Sequence, residues 1–409
     1  MKCRFCNSAV ENEFVDLVNS PPSNSYLSRE QLNEPEVFYP LKVKVCHNCW
    51  LVQIDEYKKS TEIFNADYAY FSSYSSSWLA HSKKYTDLMT QRFNFGPQSL
   101  VVELASNDGY LLQYFVEKGI PVLGIEPTAN TAEVAKKKGI NTIVEFFGLT
   151  LAKTLSNAGQ KADLILGNNV LAHVPDINDF VKGIAALLKP EGIVTMEFPH
   201  LYQLVLNNQF DTIYHEHFSY LSFTTVKKIF EKHGMTMFDV EELPTHGGSL
   251  RIFAKLTSNT KFVIENNVKE LLAKEEAAGL NTLAYYQGFQ EKVQIVKNNL
   301  LHFLIEKKKD KKLVAAYGAA AKGNTLLNYC GIKNDLISFV VDANPHKQNK
   351  YLPASHIPVV AEDAIKKHKP HYIIILPWNL QKEIVEQLHY IKEWEGRFVV
   401  PIPELKVLE

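Results

Sequence analysis

The 409-residue chain has no surplus of charge: 44 Lys and Arg stand against 45 Asp and Glu, for a net charge of -1. A nucleic-acid binder driven by bulk positive charge is therefore disfavoured, and at most a local basic groove remains. No apolar run approaches the roughly 18–20 residues that cross a bilayer, and the opening MKCRFCNSAVENEF lacks the apolar stretch of a signal peptide. The expectation is a cytoplasmic protein with no membrane and no nucleic-acid partner. Cysteine is scarce, at five residues, and four of them fall in the first fifty positions. A disulfide framework belongs to small secreted chains and does not fit. Hydrophobic and charged fractions of 46% and 22% exclude wholesale disorder. At about 100–200 residues per domain, the length calls for two or three domains.

The clustered cysteines ask for a local explanation. Cys3 and Cys6, then Cys46 and Cys49, form two Cys-x-x-Cys turns, with 39 residues between the pairs. Each such turn aims two thiolates at one point, and together they make a four-sulfur site suited to Zn²⁺. With four thiolates available, His47 is expected to be a bystander. No coordination position is left open, so the metal should be structural. The intervening segment, with stretches such as NSPPSNSYLSRE, reads as too poor in apolar residues to hold a core alone. Metal would replace that core.

From about residue 98, short apolar strands alternate with helical stretches: SLVVELA, then the helix YLLQYFVEKG; PVLGIEP, then TAEVAKKKG; ADLILGNNV, then DFVKGIAALLKPEG as helix plus turn; and IVTMEFP. This pattern predicts a mainly parallel, doubly wound α/β sheet with ligands at the C-terminal ends of its strands. The first loop, from Glu103 to Gly109, is not GxGxxG, which argues against a dinucleotide. An acidic residue, Glu103, ends the first strand, and Glu126 ends the second, placed to accept from both ribose hydroxyls. That pair suits a ligand bearing a sulfonium and an ammonium, S-adenosylmethionine, better than NAD.

The runs VVELASNDGYLL, GIEP, DLILGNNVLAHV and LLKPEGIVTMEFP resemble class I S-adenosylmethionine-dependent methyltransferases. The sequence departs from the usual pattern at Ala105 and Asn107, where glycines are common, so a modified path is expected for the cofactor loop. The resemblance implies that Glu103 and Asp108 flank the methionine end, that Glu126 holds the ribose, and that Asn168 and Asn169 lie near the adenine or methionine. Simple loop capping is the other reading of the two asparagines.

Beyond the last of these strands, Tyr214, His215, Glu216, His217 and Tyr220 crowd into seven positions. On a strand, His215 and His217 could pair on a metal. On a helix the cluster would fan out. In a loop at the sheet's edge it would supply an acid–base group, and this reading fits the position best.

The C-terminal third reads as helices over about 261–310, then strands KLVAAYG, ISFVVD, HIPVV, YIIILP and FVVPIP in a second doubly wound pattern. The Lys-rich run Lys307–Lys312 reads as a solvated helix end. The first turn of that region, YGAAAKGNT, exposes backbone N–H groups at a helix N-terminus beside Lys322, a geometry suited to a diphosphate. Tight helix–strand packing is its bland alternative. Asp342 could take a ribose or base, with Asn344, Lys347, Lys350 and His356 contributing more weakly. Cys330 is expected to be a small buried residue.

The order of these blocks, four-cysteine module, methyltransferase, YHEHF, then YGAAAKGNT and VVDANPHKQNKYLPASHIPV, resembles the sugar C-methyltransferases of deoxysugar biosynthesis over essentially the whole chain. The resemblance implies an α/β protein with a zinc-binding module (1–68), a class I methyltransferase (Rossmann-like) domain (69–260), and a C-terminal sugar-nucleotide-binding domain (261–409) made of a helical segment and a second Rossmann-like unit. It implies S-adenosylmethionine as cofactor, structural Zn²⁺, and a nucleotide-linked 4-keto-deoxysugar methylated at a carbon next to the ketone. His217 would abstract the α-proton, with Tyr214 and Glu216 positioning the sugar and supporting the base. The stretch Ala69–Ser77, with Tyr70 and Tyr74, could form a lid or merely a polar linker. His246, in THGGSLR, could line the substrate site or a tight turn, and His173 could enter the site or pack in the core. Lys322, Asn324 and Asp342 are the remaining substrate candidates. Methylation of oxygen or nitrogen, an RNA methyltransferase using the zinc module, and an idle binding module are the rival functions.

Overall fold

The computed structural model describes residues 1–64 and 70–408. Three strands come first: β1 (Asn12–Ser20), β2 (Tyr39–Val45) and β3 (Val52–Ile54). The middle of the chain supplies β4 (Val101–Leu104), β5 (Val122–Ile125), β6 (Thr142–Ile143), β7 (Ala162–Asn168), β8 (Leu188–Pro199), the short β9 (Ser219–Tyr220), β10 (Met235–Leu243) and β11 (Ser249–Leu256). The last part adds β12 (Val314–Tyr317), β13 (Val340–Val341), β14 (Val359–Val360), β15 (Tyr372–Ile375), β16 (Arg397–Val400) and β17 (Lys406–Val407).

The central sheet runs β10-β11-β8-β7-β4-β5-β6, with β4 to β8 parallel and β11 antiparallel to β8. All four residues of β4 are buried, as both-face coverage by helices requires of a parallel strand. From β4 the chain winds outward to β5 and β6, then returns to β7 on the other side. The switch point therefore lies between β4 and β7, and the crevice where doubly wound sheets bind their ligands falls at the C-terminal ends of these strands. The expected turn in LLKPEG is absent: β8 begins at Leu188, directly after the helix Ile177–Leu187. The C-terminal sheet, β14-β13-β12-β15-β16-β17, is parallel except for β17, as expected for a second doubly wound unit.

The N-terminal block differs from its expected form. Its sheet has the order β1-β2-β3-β9, so its last strand comes from the middle of the chain. It also has a core, because Phe14, Val15, Leu17, Leu41, Val43 and Ile54 are buried together with Phe289, Val293 and Val296 of the long helix Phe289–Lys309. The module does not lack apolar residues; it shares them with the C-terminal unit. Its cysteine turns pack on the other side, in one cluster with Val226 and Ile229 of the helix Phe223–Lys232. Beyond residue 260, the helix Asn266–Ala278 buries Val268 and Leu271 in the central core. The expected boundary at 68/69 lies outside the described residues. Lys307–Lys309 do close the long helix. No helix among the described residues is long and apolar enough to cross a membrane.

Helix packing in the central unit is close enough to test. Gly183 lies where the helix Ile177–Leu187 meets the turn before the helix Leu149–Asn157, and a Cβ there would sit 2.9 Å from the Gly148 carbonyl carbon. Alanine normally improves a helix interior by about 1 kcal/mol, but backbone cannot yield as a side-chain tip can. Gly183→Ala is expected to destabilise the protein by about 1–3 kcal/mol in urea unfolding. A gain in stability would contradict the packing.

Candidate active site

The loop after β4 settles how the sequence copes without glycines. Ala105 (φ 56°), Asn107 (φ 49°) and Gly109 (φ 74°) are all left-handed. The loop thus does not leave the path that glycines would permit; Ala105 and Asn107 adopt it, at a local conformational cost of about 1–3 kcal/mol each. Glu126 fixes the loop by accepting from the backbone N–H of Asn107 (2.9 Å) and of Thr128 (2.8 Å), and from the Thr128 hydroxyl.

Around this loop lies a set of buried polar atoms without well-formed hydrogen bonds: both carboxylate oxygens of Glu103, Oδ1 of Asp108, Nδ2 of Asn168 and Oδ1 of Asn169. Burial pushes the Glu103 carboxyl well above the usual range, against the opposing pull of the Tyr110 hydroxyl. Acceptors at the end of β4 and an amide donor at the end of β7 form a chemically mixed cradle. It matches an amino acid end, with a cationic amine for the carboxylates and a carboxylate for the amide.

A strap crosses this crevice. Ser72 N donates to Asn107 Oδ1 (2.9 Å), Ser73 N to Asp108 Oδ2 (3.1 Å), and Asn107 Nδ2 to the Tyr70 carbonyl (3.1 Å). Phe71 stacks on His346 of the C-terminal unit at 5.2 Å. The stretch is therefore more than a linker, although Tyr70 and Tyr74 remain 46% and 54% exposed. Ala69, its first residue, lies outside the described residues.

The YHEHF segment is a loop that ends in β9. His217 is held at both ring nitrogens: Nδ1 faces the Thr212 carbonyl at 2.8 Å and Nε2 the Tyr214 hydroxyl at 2.9 Å. A carbonyl only accepts, so Nδ1 carries the proton and Nε2 presents a lone pair. Burial holds this imidazole well below its ordinary pKa, so it is neutral at pH 7. His173 packs edge-on to it at 4.6 Å and donates from Nδ1 to the Glu216 carbonyl (2.7 Å). Glu216 does not support the base as expected; its carboxylate accepts from Asn24 Nδ2 at 3.2 Å, and the Thr212 carbonyl orients His217 instead. His215 points to the Pro40 carbonyl (3.2 Å), so the two histidines of the motif form no metal pair.

THGGSLR is a tight turn between β10 and β11, and it also reaches the crevice. His246 (φ 53°) and Asn169 (φ 56°) are both left-handed and meet through Asn169 Nδ2 and His246 Nε2 at 3.0 Å. Thr245 donates to Glu197, which also takes His81 and Arg251 (2.9 and 2.8 Å) in a buried charge network.

Lys322 reaches this region from the C-terminal unit. Its Nζ donates to Asn379 Oδ1 (2.8 Å) and lies 4.8 Å over the Trp378 ring, while Trp378 Nε1 donates to Asp211 Oδ2 at 2.7 Å. Burial raises the Asp211 carboxyl to about 6. Sequence reasoning missed Trp378, Asp211 and Thr212, because nothing local marks a tryptophan 167 positions away as the partner of an aspartate. Two expected substrate residues turn inward: Asn324 Nδ2 donates to the Ser23 carbonyl (2.6 Å), and Asp342 accepts from Asn344 N (2.8 Å) with Lys347 at 3.7 Å. Lys347 itself donates to the Ala319 carbonyl (2.8 Å), and His356 pairs with Glu36 at 2.6 Å. Cys330 is buried, as expected.

The four N-terminal sulfurs all lie within 4.8 Å of one another, with Cys3–Cys49 and Cys6–Cys46 both at 3.5 Å. A tetrahedron with metal–sulfur bonds of about 2.3 Å has edges near 3.8 Å, and a disulfide would need about 2.05 Å. The thiols are free and fit a closed tetrahedral site. His47 is exposed beside them.

Sheet topology, crevice and comparisons together define an S-adenosylmethionine-dependent methyltransferase. Three family models match in series: "Putative zinc binding domain" over residues 3–64, "Methyltransferase domain" over 79–240, and "C-methyltransferase C-terminal domain" over 244–403. The C-methyltransferase NovU of Streptomyces niveus is 35% identical over 407 residues, covering 100% of this chain and 96% of that protein. A ubiquinone biosynthesis O-methyltransferase of Bartonella tribocorum is 31% identical over only 110 residues, 25% of this chain and 44% of its own. Among solved structures, an S-adenosylmethionine-dependent methyltransferase from Clostridium acetobutylicum aligns with 44% of this chain and 92% of its own, at 13% identity and a TM-score of 0.36. The chain belongs to the C-methyltransferase family that carries these three domains in this order.

The buried imidazoles give the site a pH signature. Burial lowers His173 and His246 to about 4 and His217 well below 6.5. Between about pH 6.5 and 4 the unfolded chain binds protons that these rings refuse, so they lower stability as pH falls. The raised carboxyls of Glu103, Asp211 and Glu216 act in the opposite sense, so the histidine contribution is best read as a difference. The Tm of His173→Asn relative to the parent protein is expected to rise between pH 7 and pH 5. A difference that stays flat or falls would refute the neutral assignment.

Proposed function

We propose that the protein transfers a methyl group from S-adenosylmethionine to a carbon next to the ketone of a nucleotide-linked 4-keto-deoxysugar, with His217 as the base. The observation that carries this reading is the state of His217: a neutral ring, its tautomer set by Thr212, its Nε2 lone pair marked by Tyr214, beside the crevice at β4 and β7. Oxygen methylation depends less on such a base, because a hydroxyl already holds a nucleophilic lone pair and gives up its proton far more readily than a C–H bond. A C–H bond does need one.

The methyl donor supplies an electrophilic carbon. Glu103, Asp108, Asn168 and Asn169 would hold its amino acid end, and Glu126 would take its ribose with the lone pairs left after Asn107 and Thr128. The strap Tyr70–Tyr74, bonded to Asn107 and Asp108, would cover that position and limit its access to water. In the sugar, the ketone acidifies the neighbouring C–H, and His217 Nε2 takes the proton. Lys322 and the backbone N–H groups of the turn before the helix Ala321–Cys330 would take the anionic diphosphate.

The test is product mass spectrometry over a panel of nucleotide 4-keto sugars, with α-deuterium wash-in from D₂O as the mechanistic readout. His217→Ala should abolish both methylation and wash-in, while calorimetry returns an unchanged affinity for S-adenosylmethionine. Methylation without wash-in capacity would point to oxygen or nitrogen as the acceptor. Near-normal turnover by the variant would remove His217 from the role.

We also propose that Cys3, Cys6, Cys46 and Cys49 hold one structural Zn²⁺, which would crosslink the two cysteine turns. Elemental analysis should return about one zinc per chain, and Cys46→Ser should lose it together with a lowered Tm. Retention of stoichiometric zinc by that variant would exclude a four-cysteine site.

A further inference from the structure

Two of the strained residues at the crevice share a purpose that the base does not explain. His246 and Asn169 sit in the left-handed region on different elements, one in the turn before β11 and one just after β7, and their side chains meet at 3.0 Å. Such conformations persist only where the surroundings over-determine them. Here they do. Thr245 is tied to Glu197 at 2.8 Å, the Gly247 carbonyl accepts from Gln209 Nε2 at 2.7 Å, and Trp78 stands edge-on to the imidazole at 5.1 Å. A Cβ on Gly247 would strike the Trp378 ring at 2.3 Å, so this turn is also seated against the C-terminal unit.

The arrangement fixes one tautomer. An amide nitrogen only donates, so His246 Nε2 accepts from Asn169 and the ring proton must sit on Nδ1. That Nδ1–H has no partner among the described residues, yet it is not sealed away in the interior. It is a donor on a half-buried, rigidly held ring. His217 and Lys322 both lie within its electrostatic reach.

We infer that His246 is the oxyanion donor of the reaction: its Nδ1–H hydrogen-bonds the ketone oxygen of the sugar and stabilises the enolate. The inference rests on the enolate reading above. When the α C–H bond breaks, its proton passes to His217 Nε2. The bonding pair becomes the new carbon–carbon π bond, and the carbonyl π pair moves onto oxygen. His246 keeps its proton throughout and meets the growing negative charge with a donor that was aimed beforehand. A neutral imidazole suits this task, since a charged one would be a strong enough acid to quench the enolate. Asn169 is the positioning residue behind it.

The experiment is α-deuterium exchange in D₂O, without methyl donor, on whichever panel sugar the unmodified enzyme converts. His246→Ala should slow exchange by about 10²–10³-fold, the scale of one lost oxyanion donor, with the affinity for S-adenosylmethionine unchanged. Exchange within threefold of the unmodified enzyme would overturn the inference. If the unmodified enzyme exchanges no sugar on the panel, the enolate reading itself fails, a separate outcome. Should the alanine variant misfold, ¹⁵N-detected NMR of the unmodified protein decides. A His246 Nδ1–H tautomer upholds the inference, and an Nε2–H tautomer overturns it.

Discussion

Ser219 and Tyr220 pair with Gln53 and Val52, and this short contact fixes the YHEHF loop against the cysteine module. It joins the strand that follows the second cysteine turn to the strand that follows YHEHF. Ile54 N adds a bond to the Phe218 carbonyl at 3.2 Å, and Arg4, between the first two cysteines, reaches the carbonyls of Ile54 and Pro175 at 2.6 and 2.8 Å. A two-residue strand has little stability of its own; its position comes from the sheet it completes. The cysteine module is therefore a frame for the catalytic loop. The cysteine turns thereby fix the position of the loop that carries His217.

The C-terminal unit meets the same loop from the opposite side. Trp378 binds Asp211 through its indole N–H, carries Lys322 over its face and abuts Gly247 at its edge. Asp211 precedes Thr212, whose carbonyl sets the tautomer of His217. The Thr325 hydroxyl adds a bond to the Ile213 carbonyl at 2.8 Å. Proposed base, proposed oxyanion donor and lysine thus come from different parts of the chain and meet around one aromatic ring. Interior packing density makes such a joint stiff. The three blocks share cores and a sheet, so the catalytic geometry belongs to the whole chain.

Much of this was legible from residue order, and the exceptions have physical causes. The alternating strands and helices, the cysteine spacing and the crowded YHEHF loop are local signals, and each appears where its pattern placed it. β9 could not be foreseen, because two residues carry no periodicity. The core of the N-terminal module was misjudged for a related reason: Phe14, Val15 and Leu17 look sparse in their own block and become sufficient only against Phe289 and Val293. At the site, residue type suggested the proposed base, but the partners, a carbonyl five residues back and an asparagine side chain 192 positions away, follow from the folded loop. A carboxylate next to a histidine in sequence suggested support, yet Glu216 turns to Asn24 and leaves that task to a carbonyl. The loss of glycines at Ala105 and Asn107 suggested a new path, whereas the loop tolerates left-handed geometry because Glu126 holds it there.

The electrostatics of the site then follow from one choice. Burial keeps the histidines neutral, and the charge on Lys322 presses His217 and His246 further in that direction. A field that opposes an imidazolium looks unhelpful for a base that must accept a proton. In the proposed reaction, however, the proton would arrive together with a negative charge on the neighbouring oxygen, so a cation that disfavours the imidazolium would also favour the enolate. In a water-poor setting both interactions are strong, and they act on the two ends of one ion pair. Under the proposed reaction, the penalty on His217 would be offset by the gain on the substrate oxygen only with a ketone between them. Without such a substrate the same burial and charge keep His217 in its neutral form.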